Sequence, residues 1–484
     1  MPDQEITLDP IDWGPIRALG HRMLDDMFGH LEGIREQPAW RQMPAAAKAA
    51  FDAPLPIDPQ GIGTAYRAFL DHILPYTAGN VHPRFWGWVM GSGSAEGMLA
   101  ELLTAGLNVN AGGFDIPGTH VELQVLAWCR TMMGFPADSG AAMVSGGSMA
   151  NFVALAAARD AAAGSAAEVG LRTLESPLAF YCSDQTHNSV SKSLRLLGLG
   201  REALRTVPTN QAFELDLAAL DRMIAEDRAR GIRPACVIGN AGTVNTGATD
   251  DLAALAAVCR REGMWFHVDG AFGAIAMLSP ALRPIVNGLD RADSLAFDFH
   301  KWLHVQYDAG CVLVRDAEAH GRPFREPASY LKWMDRGFAA GPAAFRDYAP
   351  ELSRELRALK VWMAFVAHGV DQYRRLAEQN VAQARYLSVL VERDPALELL
   401  APSALNIVCF RYHRAGLDDD ALNGVNQEIL MRLQEEGVAV PSGTMLRGRF
   451  AIRCAITNHR SRLEDFDALV GAVVRLGKAL TIGD

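Results

Sequence analysis

From about residue 90 to 315 the chain alternates short apolar runs with stretches of helical character, and this alternation most limits what it can fold into. The runs are LAFYCSD (178–184), PACVIGN (234–240), MWFHVD (264–269), SLAFDF (294–299) and CVLVRD (311–316). Each has the length of a strand and is apolar almost throughout, as a strand covered on both faces must be. Among them stand ANFVALAAARDAAA and DLAALAAVCRREG, which read as helices. Strands alternating with helices predict an α/β unit on a mostly parallel sheet. Such sheets bind ligands outside the carboxyl ends of their strands, so chemistry is to be sought there.

The flanking segments differ. Ile16, Leu19, Met23, Met27, Leu31 and Ile34 line one face at helical spacing, and a second helix is predicted over 64–74. A free helical pair would expose those faces, which suits packing on another body, a second subunit or the rest of this chain. Helices are predicted through 350–393. Beyond 395 come strand LNIVCFRYH, helix DDDALNGVNQEILMRLQEEG, strands VAVPSGTML and RFAIRCAIT, and a last helix from Arg462. The expected organisation is an N-terminal helical segment (1–85), a large α/β domain (86–350), connecting helices (351–394) and a small α+β domain (395–484).

The net charge of −10 argues against nucleic acid or an anionic membrane as main partner. No apolar stretch is long enough to span a bilayer, and the acidic, polar opening MPDQEITLDP does not read as a signal peptide. The seven cysteines are scattered without a CxxC pair, which suits reduced core residues in a cytoplasmic protein.

Within SLAFDFHKWLHVQYDAGCVLVRD one lysine, Lys301, interrupts a stretch written for burial. An ammonium is costly to bury unless paired or used, and a lysine in an apolar site readily becomes a nucleophile. The strand MWFHVD ends on Asp269, with His267 on the same face; one candidate partner for that carboxylate is a protonated heterocyclic nitrogen. In VSGGSMANFVAL, Gly146, Gly147 and Ser148 precede a helix, where backbone N–H groups can hold a phosphate. A lysine, a strand-terminal aspartate and a phosphate-type turn on one α/β scaffold are what pyridoxal phosphate requires.

The HVDGAFG and DFHKW segments resemble the group II pyridoxal-phosphate decarboxylases, the family that includes aromatic L-amino acid decarboxylase and glutamate decarboxylase. The resemblance runs from HPRFWGW (82–88) to ELSRELRALKVW (351–362) and weakens toward the C-terminus. It implies the aspartate-aminotransferase type fold (fold type I), pyridoxal 5'-phosphate as cofactor, and an obligate homodimer whose sites draw on both subunits. By the same resemblance Lys301 is the Schiff-base lysine, Asp269 pairs with the pyridine nitrogen, Ala271 sits under the ring and His187 stacks on it. Gly146, Gly147, Ser148 and His300 hold the phosphate, and Thr243 lies close to cofactor and substrate carboxylate. REPASYLKWMDRG (325–337) resembles the family's mobile loop, with Tyr330 at the position of the tyrosine that returns a proton to Cα.

For substrate, Trp88 falls where relatives contact a substrate ring, which favours an aromatic amino acid. Asn110 in NVNAGGFD stands where aromatic decarboxylases present apolar groups, and an asparagine could instead bond a polar side chain. The GSG at 91–93 replaces the family's usual Pro-Thr pair. The reading is decarboxylation of an aromatic amino acid to its amine. An acidic substrate, an oxidative aldehyde synthase and a dimer that keeps the cofactor only as a structural staple are the rivals. Retention of both His187 and Tyr330 speaks against the oxidative one.

Overall fold

A computed structural model describes residues 6–164, 166–326 and 334–481. Its larger sheet has seven strands: β1 (Gly140–Val144), β2 (Leu178–Ser183), β3 (Leu204–Val207), β4 (Arg233–Asn240), β5 (Trp265–Asp269), β6 (Ser294–Asp298) and β7 (Gly310–Val314). Their order is β1-β7-β6-β5-β4-β2-β3. β2 to β6 pair in parallel, whereas β7 runs antiparallel to both β6 and β1. β1, β2, β4, β5 and β6 thus present their carboxyl ends at one edge. All five predicted runs are strands of this sheet; β1 and β3 are additional.

The helices that matter to the site are α1 (Trp13–Glu32), α2 (Ala95–Leu107), α3 (Pro117–Met133), α4 (Gly147–Ala163), α5 (Ser189–Leu196), α6 (Leu217–Ala229) and α7 (Leu252–Glu262). Local chemistry fixes their ends. Asp251 accepts the Ala254 N–H and starts α7, and Gly263, at φ 66°, lets the chain turn out of it. α4 lies across β6 and β7 with Ala150, Ala154, Ala157 and Ala158 fully buried, because small side chains let helix and sheet approach closely. That contact sets the N-terminus of α4 over the carboxyl ends of β5 and β6.

After α8 (Arg357–His368) and α9 (Val370–Arg393) comes a second, antiparallel sheet of β8 (Leu397–Leu399), β9 (Ile407–Tyr412), β10 (Ser442–Leu446) and β11 (Arg449–Ala455). Its order is β10-β11-β9-β8, and it packs with α10 (Asp419–Glu435) and α11 (Leu463–Thr481) around its own apolar core. The helix expected over 64–74 is α-helical only from Ile62 to Ala68, then widens over Phe69–Ile73 and tightens at Leu74–Tyr76. Residues 350–356 precede α8 rather than joining it. None of the α1 residues is buried, and Trp13, Ile16, Leu102, Leu103 and Leu107 are all exposed. No described helix is long and apolar enough to cross a membrane.

Candidate active site

Five carboxyl-terminal strand ends open onto a cavity of about 200 Å³. Its wall includes Asp269 from the end of β5, Lys301 beyond β6, His187 beyond β2, Gly147 and Ser148 beyond β1, and Gly242 and Val244 beyond β4. Ala271, Phe272, Trp88 and Val89 complete most of the lining.

Asp269 is 6% exposed and accepts two hydrogen bonds, from Asn151 Nδ2 at 2.9 Å and from the Ala271 N–H at 3.2 Å. Both donors are neutral, so the carboxylate faces the cavity with its charge uncompensated by them. Asn151, one turn into α4, is the hub of a directional network. The Trp265 indole N–H donates to Ser294 Oγ (2.8 Å), which leaves the Ser294 hydroxyl to donate to His267 Nδ1 (2.9 Å). His267 Nε2–H then donates to Asn151 Oδ1 (2.9 Å), and the Asn151 amide donates to Asp269. Burial pushes His267 down to about 4, so the imidazole is neutral and this single orientation holds.

The second Asn151 amide hydrogen goes to Ser189 Oγ (3.0 Å), whose hydroxyl donates to His187 Nδ1 (2.9 Å). His187 therefore carries its proton on Nε2 when neutral. Burial lowers its pKa against the opposing pull of Asp269.

Lys301 Nζ lies 2.8 Å from Asp298 Oδ2. Asp298 has no exposed surface, and neither carboxylate oxygen has a hydrogen-bond partner among the described residues apart from this ion pair. The carboxylate lies against the turn at Gly146–Gly147. A Cβ on Gly147 would stand 2.8 Å from Asp298 Oδ2 and force a shift there, and one on Gly146 would crowd His300 Cε1 at 3.0 Å. The first turn of α4 carries no acidic residue and no side-chain cap, leaving its N–H groups to a ligand. His300 is buried behind this turn rather than in the cavity lining; its Nδ1 accepts the Ala309 N–H at 3.1 Å, which puts its proton on Nε2.

Gly146, Thr243 and Asn110 also stand outside the lining. Thr243 is buried, with its hydroxyl 3.0 Å from that of Thr246, while its neighbours Gly242 and Val244 face the cavity. Asn110 is exposed and its Oδ1 accepts the Arg354 N–H at 3.0 Å. Tyr330 lies outside the described residues. Sequence reasoning missed Asn151, Ser189 and Asp298. Asn151 sits four residues beyond Gly147 inside a helix, where a polar residue directed at the sheet is the available signal; Asp298 is written into DFHK itself.

The arrangement fits pyridoxal phosphate. An uncompensated carboxylate can hold a cationic ring nitrogen, an amine stands beside the cavity, and a side-chain-free turn at a 17-residue helix offers donors to a phosphate.

Residues 44–413 match the model of the pyridoxal-dependent decarboxylase conserved domain. The chain is 35% identical to an aromatic-L-amino-acid decarboxylase of Bacillus atrophaeus over 404 residues, 83% of this chain and 82% of that protein. It is 28% identical to a phenylacetaldehyde synthase of Arabidopsis thaliana, covering 93% of each. A crystal structure of Oryza sativa TDC with PLP and tryptamine superposes with a TM-score of 0.90 at 25% identity, over 98% of this chain and 100% of that one. This whole-chain likeness carries the fold expected from sequence, the aspartate-aminotransferase type.

Proposed function

Because the chain belongs to the pyridoxal-dependent decarboxylase family, an enzyme family using pyridoxal phosphate, we propose that it converts an aromatic L-amino acid to its amine and carbon dioxide. The observation that carries the reading is the convergence of Lys301, Asp269, His187 and Trp88 on one cavity.

When bound, the cofactor supplies an electron sink for the pair released as the bond from Cα to the carboxylate breaks. In our reading Lys301 holds the cofactor through Nζ and yields it to the substrate amine. Asp269 keeps the ring nitrogen protonated, its own position fixed by Asn151 and Ala271. His187 lies against the ring and presents Nε2–H, while Gly146, Gly147 and Ser148 hold the phosphate, with His300 behind their turn rather than on the phosphate itself. Orientation selects which bond at Cα breaks, so the residues that pin the substrate decide the reaction. Tyr330 delivers a proton to Cα, giving the amine rather than an oxidised product.

Trp88 supports an aromatic side chain. The described lining contains no arginine and no lysine besides Lys301, so it offers an acidic side chain no cation of its own. The Asn110 carbonyl oxygen is already engaged by Arg354. We also propose that the exposed apolar faces of α1 and α2 pack against a second copy in a homodimer.

The test is incubation of the purified protein with each of the common amino acids and dopa, with products identified by mass spectrometry. An amine from tryptophan, tyrosine, phenylalanine or dopa is expected. Aldehyde in place of amine, or an amine only from an acidic substrate, would replace this reading.

A further inference from the structure

Arg453, in the middle of β11, is 3% exposed. Its guanidinium meets no carboxylate among the described residues; instead it joins the segment of Trp88 to the loop that follows β4. Nη1 donates to the Trp88 carbonyl at 2.7 Å and to Ser442 Oγ at 3.1 Å, and Nε donates to the Asn245 carbonyl at 3.0 Å. A buried guanidinium without a carboxylate is costly, and here it is spent on carbonyl oxygens.

Those two carbonyls belong to two separate stretches of chain that both reach the cavity. Trp88 and Val89 form one wall, and Val244, next to Asn245, forms another. Trp88 has φ 51°, the left-handed region that a bulky residue adopts only when its surroundings impose it. The imposition is visible: the Trp88 N–H donates to Ser442 Oγ at 3.2 Å while Arg453 grips its carbonyl, so both backbone groups of Trp88 are tied to the second sheet. Asn245 is tied there as well, its Oδ1 accepting from Thr444 Oγ1 at 2.9 Å.

We propose that Arg453 is a positioning residue that sets the separation of the Trp88 and Val244 walls, and so determines which substrate side chain the cavity accepts. The inference rests on the proposal that Trp88 meets the substrate ring. Lysine at 453 would keep the charge but replace a rigid fork of donors with one flexible group, and could not hold both carbonyls in fixed register.

The test compares Arg453→Lys, Trp88→Ala and the double variant, all loaded with cofactor. For the preferred aromatic amino acid, Arg453→Lys should raise KM about tenfold while kcat stays within about threefold and cofactor occupancy is unchanged. The double variant should be no worse than Trp88→Ala, because the separation that Arg453 sets matters only while the Trp88 ring forms one of the two walls. In protein labelled with 5-fluorotryptophan, the resonance missing from Trp88→Phe should shift and broaden in Arg453→Lys, while that of Trp302, in the core of the larger sheet, stays. Ser442→Ala should move KM and the Trp88 resonance in the same direction by less, which decides the matter if Arg453→Lys folds poorly. Additive effects, or an unmoved Trp88 resonance with unchanged KM, would overturn the inference. A Trp88→Ala variant with unaltered KM and substrate preference would instead remove the substrate wall itself, and the role of Arg453 in selection with it.

Discussion

Lys301 Nζ and Asp298 Oδ2 are 2.8 Å apart, and the carboxylate has no exposed surface. Removing only the cation strands a buried charge. Lys301→Ala should therefore abolish turnover and the visible absorbance of lysine-bound cofactor, and lower the stability of the cofactor-free protein by about 3 kcal/mol. Adding Asp298→Asn should restore part of that stability without restoring activity. Urea unfolding of the two cofactor-free variants checks this; equal midpoints would show that the pair has no such coupling.

Asp269→Asn keeps the size of the side chain and removes its charge. Turnover should fall by several powers of ten, each worth about 1.4 kcal/mol of barrier, with weaker cofactor retention on dialysis. Near-normal kcat would take the carboxylate out of the chemistry.

Asn151→Ala cuts the network at its hub, leaving Asp269, Ser189 and His267 each short of one partner. Stability should fall by about 2 kcal/mol, and cofactor affinity by about tenfold or more, because the aspartate loses the donor that aims it. Spectrophotometric titration of the cofactor-free protein reads the affinity; unaltered affinity would show that Asp269 is aimed by other means.

Tyr330→Phe removes only a hydroxyl. In air-saturated buffer the product should change from amine toward aldehyde, with dioxygen and water consumed and ammonia, carbon dioxide and hydrogen peroxide released, as measured by a peroxidase-coupled assay. Unchanged amine output with no peroxide would assign the proton to another group.

Burial pushes His267 and His320 each down to about 4. In the unfolded chain both titrate near about 6.5, so between those values the unfolded state binds more protons than the folded one. Their contribution is complete above about pH 6.5 and is lost as pH falls toward 4, by up to about 1.4 kcal/mol per unit for each. Unfolding midpoints from pH 7 to 4 should fall accordingly, and His320→Gln should flatten the slope. A slope indifferent to that change would contradict the assignment.

The residues that declare themselves in the sequence are those whose chemistry clashes with their surroundings. Lys301 and Asp269 are charges at the ends of apolar runs, and the strands that carry them, β5 and β6, were legible for the same reason. β1 was not: GAAMV is short and built largely of small residues, and it is a strand because α4 and β7 cover it. β3 is a four-residue edge strand that is mostly not buried, so its pattern is weak. Asn151 escaped because helical periodicity says that a residue faces the sheet, not which aspartate waits there. Arg453 escaped similarly; nothing in RFAIRCAIT says that the arginine reaches Trp88, 365 positions away.

The pairing of β1 with β7 also dictates an order of events while the chain is being made. β1 leads directly into Gly146, yet its one partner in the sheet is β7, with Gly140 opposite Val314 and Val144 opposite Gly310. At typical ribosomal speeds of about 5–20 residues per second, the strand waits roughly ten to thirty seconds for that partner to be synthesised. For most of that interval the glycine turn has no floor, since Asp298 and Lys301 are also still to come. A chain cut before Asp298 therefore has an unpaired apolar strand, and a glycine turn without the carboxylate and amine that stand beside it.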